Sequence, residues 1–78
     1  MPTVLRLGHY RFFFFSADGA EPPHIPVERD DALAKFWLQP VRLASSGGFA
    51  ASELRRLERL VEEHAALLMG AWNEYFGA

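Results

Sequence analysis

The fold of this chain is decided by the segment 9-HYRFFFFS-16, in which four phenylalanines follow a tyrosine and an arginine. Aromatic residues favour β-strands, and successive side chains of a strand point to opposite faces of its sheet. The segment therefore predicts one face with Tyr10, Phe12 and Phe14 and an opposite face with Arg11, Phe13 and Phe15. Both faces are largely apolar. We expect the rest of the chain to cover one face and something else to cover the other.

Further strands are predicted on both sides of this segment. Alternating residues at 3–7 end at Gly8, which can supply the positive φ of a tight turn. Residues 24–29 and 32–38 form two more strands joined by Asp30-Asp31, and 41–43 are a brief extended piece. Pro26 has no amide to donate, so its strand is expected at a sheet edge or with a bulge.

The C-terminal third has the periodicity of one long amphipathic helix, residues 51–76, which Gly77 can end. Its apolar stripe is Leu54, Leu57, Val61, Leu68, Trp72 and Tyr75, and its polar side is Arg55, Arg56, Arg59, Glu62 and Glu63. The sequence thus predicts a single α+β domain over 1–78. A small antiparallel sheet of three to four strands (1–43, mainly strands) is followed by a loop (44–50) and packed by the helix.

Composition excludes several classes of function. The chain has 78 residues and no cysteine, so it contains no disulfide and no thiolate metal site. Its N-terminal apolar run is broken by Arg6, His9 and Arg11, unlike a secretory signal, and is far shorter than the roughly 20 residues that span a membrane. We expect a cytoplasmic protein. The net charge of −2 provides no overall cationic field for nucleic acid.

Four segments carry a resemblance to a known family. They are 21-EPPHI-25, 34-AKFWL-38, 53-ELRRL-57 and 71-AWNEYF-76, and with them nearly the whole chain resembles a bacterial family of small proteins, the domain of unknown function 4160. The resemblance implies a gene often found beside another short reading frame, and hence a toxin–antitoxin-like or regulatory pair.

The chain departs from the family pattern at two places. The family usually continues His-Ile-His-Val, whereas Pro26 replaces the second histidine here. The family tends to have a capping-box serine where this chain has Ala50, so we expect the helix cap to shift to Ser52.

His24 and Glu28 are the only candidates for catalysis. They share one strand face, and a histidine with a carboxylate could transfer protons or bind a metal weakly. Two ligands do not make a metal site, and no oriented nucleophile, phosphate loop or helical zinc motif accompanies them. A structural role for His24 is therefore favoured over an enzymatic one, and no metal or cofactor is predicted. We expect His64 to be a boundary residue bonded to a neighbour and His9 to face solvent.

The face opposite the helix is the main functional prediction. It is expected to carry Arg11, Phe13, Phe15, Lys35 and Trp37, and exposed apolar surface of this kind commonly marks a protein interface. The expected partner is a second copy or the small protein of a neighbouring gene.

Two alternatives to this interface stay open. Aromatic residues interleaved with cations also stack on single-stranded RNA or DNA, so a nucleic-acid-binding or RNA-processing toxin-like domain would use Arg11, Lys35, Arg55, Arg56 and Arg59. In the other alternative, this face is buried in a fold different from the predicted one.

Overall fold

A computed structural model describes residues 3–77 of the chain. Positions 1, 2 and 78, which the predicted domain includes, lie outside the described residues. Five strands form one antiparallel sheet whose spatial order is the order of the chain. They are β1 (Thr3–Leu7), β2 (Tyr10–Phe13), β3 (His24–Arg29), β4 (Ala32–Leu38) and β5 (Val41–Gly47). Two helices follow, α1 (Ala51–Glu63) and α2 (Ala65–Phe76).

The α+β class is confirmed, but the predicted counts of strands and helices are wrong. The sheet has five strands instead of three to four, and the C-terminal segment is divided into two helices. None of the helices within residues 3–77 is long and apolar enough to cross a membrane.

The turns between the first four strands follow the predicted chemistry. Gly8 joins β1 to β2 with φ 59°, and Asp30 joins β3 to β4 with φ 53°. Glycine adopts this left-handed region freely, and aspartate adopts it more readily than most residues. Both hairpins are therefore set locally.

Strand β5 is longer than the predicted piece at 41–43. Ser45, Ser46 and Gly47 have low strand propensity, and for that reason the sequence predicts a loop there. In the structure they pair with Lys35, Ala34 and Leu33 of β4. Ala44 is an extra residue in this register, which shifts between Lys35 and Phe36. Backbone pairing with a complete neighbouring strand outweighs the weak propensity of the side chains.

The strand of Pro26 is not at an edge, because β3 is the third strand of five. Pro26 itself pairs regularly with Lys35. The Leu38 amide donates to the Pro23 carbonyl at 3.0 Å, so position 23 directs its backbone groups toward β4. By alternation, position 26 directs its groups toward β2. The β2–β3 ladder ends at Phe12 opposite Val27. The amide that Pro26 lacks thus falls beyond the ladder.

His64 interrupts the predicted helix. Its φ of −110° leaves the helical region, and its Nδ1 donates to the Leu60 carbonyl at 2.8 Å. The start of α1 also differs from the prediction, since Ala50 is the N-cap and Ser52 lies inside the helix. Among the residues that the structure describes, no side chain caps this end. Gly77 ends α2 in the left-handed conformation, as predicted.

The helices cover one face of the sheet. The fully buried core joins strand residues to helix residues: Phe12, Phe14, Ile25, Val27, Ala34, Phe36, Leu38, Leu57, Val61, Leu68 and Trp72. Two members of the predicted stripe differ, since Leu54 is half-buried and Tyr75 is 45% exposed. The opposite side of the sheet is called the open face below.

Candidate interaction face

The open face carries the five residues predicted for an interface. Arg11 and Phe13 alternate with the core residue Phe12 along β2, and Phe15 packs edge-on against Phe13 at 4.9 Å between ring centroids. Lys35 and Trp37 alternate in the same way with the core residues of β4. The structure therefore brings Arg11, Phe13, Phe15, Lys35 and Trp37 to one side of the sheet.

Phe13 is less accessible than the sequence predicts. The Arg11 guanidinium carbon lies 4.5 Å from the Phe13 ring centroid, and Arg11 also donates to Glu28 and, at 2.8 Å, to the Thr3 hydroxyl. Phe13 is only 2% exposed. A carboxylate thus holds a cation over an aromatic ring, which shields that ring from water.

The same arrangement occurs a second time, on β4. The Lys35 ammonium lies 4.6 Å from the Trp37 ring centroid and donates to Glu21. This hydrogen bond is the main reason that the pKa of Glu21 lies below its usual value. Arg11 and Lys35 are therefore already engaged with carboxylates.

A groove of about 520 Å³ lies on the open face beside Lys35. Its walls include Phe15, His24, Pro26, Leu33, Lys35 and Ser45. Phe15 and Leu33 are the apolar side chains it leaves accessible, at 37% and 42% exposure. The groove combines apolar walls with a few polar groups, which is the usual composition of a binding site.

His24 forms the buried end of this groove and is 1% exposed. Its Nδ1 lies 2.8 Å from the Pro22 carbonyl oxygen, and its Nε2 lies 3.0 Å from Asp18 Oδ2. The ring also contacts Trp37 and Trp72, with centroids 5.7 and 5.1 Å away. Both ring nitrogens lie within hydrogen-bond distance of oxygen atoms of the segment before β3, which holds the ring in place.

The structure does not bring His24 and Glu28 together. Four residues along a strand separate them by about 13 Å, and Glu28 is bonded to Arg11 instead. Asp18 supplies the carboxylate beside His24, but its place before Gly19 in the sequence indicates only a loop. No hydroxyl group bonds to His24 among residues 3–77, and that range contains no group of three or more potential metal ligands.

A second polar cluster lies on the helix side of the sheet and was not predicted. Glu53 accepts from Tyr10 at 2.7 Å and from Arg29 at 2.8 and 3.0 Å. The hydrogen bonds from Arg29 and Tyr10 lower the pKa of Glu53. Burial, followed by the hydrogen bond to Glu53, raises the pKa of Tyr10. The cluster fixes the first turn of α1 to β2 and β3.

The cations of the nucleic-acid alternative do not share a surface. Arg55, Arg56 and Arg59 are exposed on α1, whereas Arg11 and Lys35 lie across the sheet from the helices. None of the three helix arginines is ion-paired within the described part of the chain. The remaining histidines lie as predicted, with His9 exposed in the β1–β2 turn and His64 bonded to Leu60.

Comparison with known proteins gives one result. The model of the family described as Domain of unknown function (DUF4160) matches residues 10–73. This range includes the groove, the ion pairs of Arg11 and Lys35 on the open face, and the Glu53 cluster. No curated protein and no solved structure matches the chain.

Proposed function

We propose that this chain, which belongs to the DUF4160 family, is an interaction module that binds a protein partner through the open face of its sheet. The observation that carries the proposal is the groove beside Phe15 and Leu33, which no described part of the chain fills. Large apolar side chains accessible at a concave site typically anchor protein partners.

The ion pairs of Arg11 and Lys35 favour a protein partner over a nucleic acid. Arg11 and Lys35 are each bonded to a glutamate, and those carboxylates repel phosphate. A protein surface with an apolar anchor and polar groups around it would fit the groove without breaking either pair. We propose the product of a neighbouring gene as this partner, in a regulatory or toxin–antitoxin-like pair.

The proposal is tested by Leu33→Glu, which places a charge in the groove. Co-purification with the neighbouring gene product and titration calorimetry should show affinity reduced at least about tenfold, since about 1.4 kcal/mol corresponds to a factor of ten. The matched control is Leu67→Glu, because Leu67 is 51% exposed on α2, on the other side of the sheet. Equal affinities for the two variants, or no binding by the unaltered chain, would contradict the proposal.

The nucleic-acid alternative is supported by Arg55, Arg56 and Arg59, which form no ion pair within residues 3–77. It predicts that fluorescence anisotropy detects binding to single-stranded RNA, with an affinity that falls steeply as salt rises because counterions are released. Absence of binding at low salt eliminates it.

A further inference from the structure

Strand β5 is a free edge of the sheet, seven residues long. It pairs with β4 on one side only, and every residue after Val41 is exposed. Natural edges are usually protected by proline, by several charges, by a covering loop or by β-bulges that twist the edge away. Strand β5 has one such irregularity, at Ala44. Within β5, Arg42 is the only charged residue, there is no proline, and Ala44 to Gly47 have small side chains or none.

The backbone of β5 presents unpaired polar groups outward. Because the amide of Leu38 donates toward β3, Trp37 directs its backbone groups toward β5. Arg42, the partner of Trp37, therefore bonds toward β4. Its neighbours Val41 and Leu43 direct their amides and carbonyls away from the sheet. Another extended strand can form backbone hydrogen bonds with such a row of amides and carbonyls.

The helix above this edge has a self-complementary charge pattern. Helix α1 packs on β5 and β4, and its Glu53 reaches inward to β2 and β3. At about 100° per residue, Arg55, Glu58, Arg59 and Glu62 lie on the side of α1 turned away from Glu53. None of these four is ion-paired within residues 3–77.

A second copy of α1, packed antiparallel to the first, would place an opposite charge beside each of these four side chains. It sets Arg55 of each copy opposite Glu62 of the other, and Glu58 opposite Arg59. Strands lie about 4.8 Å apart, so two α1 helices, each lying over β4 and β5 of its own copy, would be about 10 Å apart, which is a normal packing distance. A single twofold axis perpendicular to the sheet at this edge would relate both the two β5 strands and the two α1 helices.

We propose that two copies of the chain pair antiparallel through β5 to form a ten-stranded sheet. Matching the outward-directed positions sets Leu43 opposite Ser46 and Arg42 opposite Gly47, so no like charges oppose each other in the ladder. All four helices then lie on one side and both grooves on the other. The groove adjoins this edge at Ser45, but the pairing uses the outward backbone groups of β5 and not the apolar walls Phe15 and Leu33, so it does not depend on the partner.

Sedimentation equilibrium and light scattering at high micromolar concentration should give about twice the monomer mass. Arg55→Glu alone and Glu62→Arg alone should each weaken the dimer at least about fivefold at low salt, because each change affects two symmetric contacts. The double variant should restore the dissociation constant to within about twofold of the original. Leu43→Pro, which removes an outward amide, should give a monomer whose circular dichroism is unchanged.

Leu33→Glu, in the groove, should leave this dimer intact, so failure of the partner proposal and failure of the dimer are distinguishable. A strict monomer at all concentrations overturns the inference. So does a dimer that Leu33→Glu breaks while the single charge variants leave it unchanged. If Leu43→Pro fails to fold, the charge exchange alone decides.

Discussion

Glu53 connects three parts of the fold with one carboxylate. It lies in the first turn of α1, where negative charge is favoured by the helix dipole, and it takes hydrogen bonds from Arg29 of β3 and Tyr10 of β2. No side chain within residues 3–77 caps α1, and this cluster bonds the first turn of the helix to the sheet. A single residue therefore determines where α1 begins to cross the strands.

The Tyr10 phenol should report on this cluster. In a Tyr75→Phe background Tyr10 is the only tyrosine, and its phenolate absorbance should titrate above its ordinary pKa of about 10. Adding Glu53→Gln should lower that pKa, since the charged acceptor is lost while burial stays. The control Glu58→Gln makes the same charge change on α1 away from Tyr10. Identical titrations in the two variants would rule out the Glu53 contact.

The same shift has a consequence for stability. The folded pKa of Tyr10 is raised above its unfolded value, so the contribution of the Tyr10–Glu53 contact is complete below about pH 10. It is lost as pH rises through the folded pKa. The pKa of Glu53 is lowered, so its contribution is complete above about pH 4.3 and lost as pH falls through the folded value.

The connection from β5 to α1 shows how an element depends on its end residue. Gly48 has φ 91°, and a Cβ there would lie 3.0 Å from Ala32 Cα and 3.1 Å from Ala32 Cβ. Only glycine, which has no Cβ, adopts this positive φ freely and leaves room for Ala32. Gly47, one position earlier, is free of both constraints, since a Cβ there meets nothing within 4 Å.

These two glycines form a matched pair. Gly48→Ala should lower the free energy of unfolding by about 1 to 3 kcal/mol, because it adds backbone strain to a contact with the Ala32 backbone. Gly47→Ala should change it by no more than about 0.5 kcal/mol. Urea denaturation of both variants measures the difference. A Gly48→Ala protein as stable as Gly47→Ala would show that the close approach to Ala32 does not exist.

The elements differ in how well the sequence predicts them. The bounds of β1, β3 and β4 follow from alternation and turn residues, which are local signals. The extension of β5 and the interruption at His64 depend on tertiary pairing with β4 and on a side-chain bond to Leu60. No local signal predicts the extension of β5, because serine has low strand propensity. No local signal predicts the interruption at His64, because the helical periodicity continues through it.

At the scale of the whole molecule, the two faces of the sheet are buried in different ways. Helices bury one face with aliphatic and aromatic side chains, whereas the other shields its rings with Arg11 and Lys35 held by glutamates. Alternation predicts which residues share the open face, but not that Phe13 is buried within a single copy. That burial depends on Glu28 and Phe15, whose positions are fixed only by the assembled sheet.

Three phenylalanine-to-alanine variants test this asymmetry. Phe36 is fully buried under the helices, so Phe36→Ala should cost about 3 to 5 kcal/mol of unfolding free energy. Phe15, 37% exposed, should cost about 1 kcal/mol or less. Phe13→Ala should fall clearly above Phe15→Ala, because Phe13 is 2% exposed although no helix covers it. The measurement is chemical denaturation at low protein concentration, where a second copy contributes little. If Phe13→Ala costs no more than Phe15→Ala, then Arg11 and Glu28 do not shield Phe13 in the isolated chain, and its burial requires a partner on the open face.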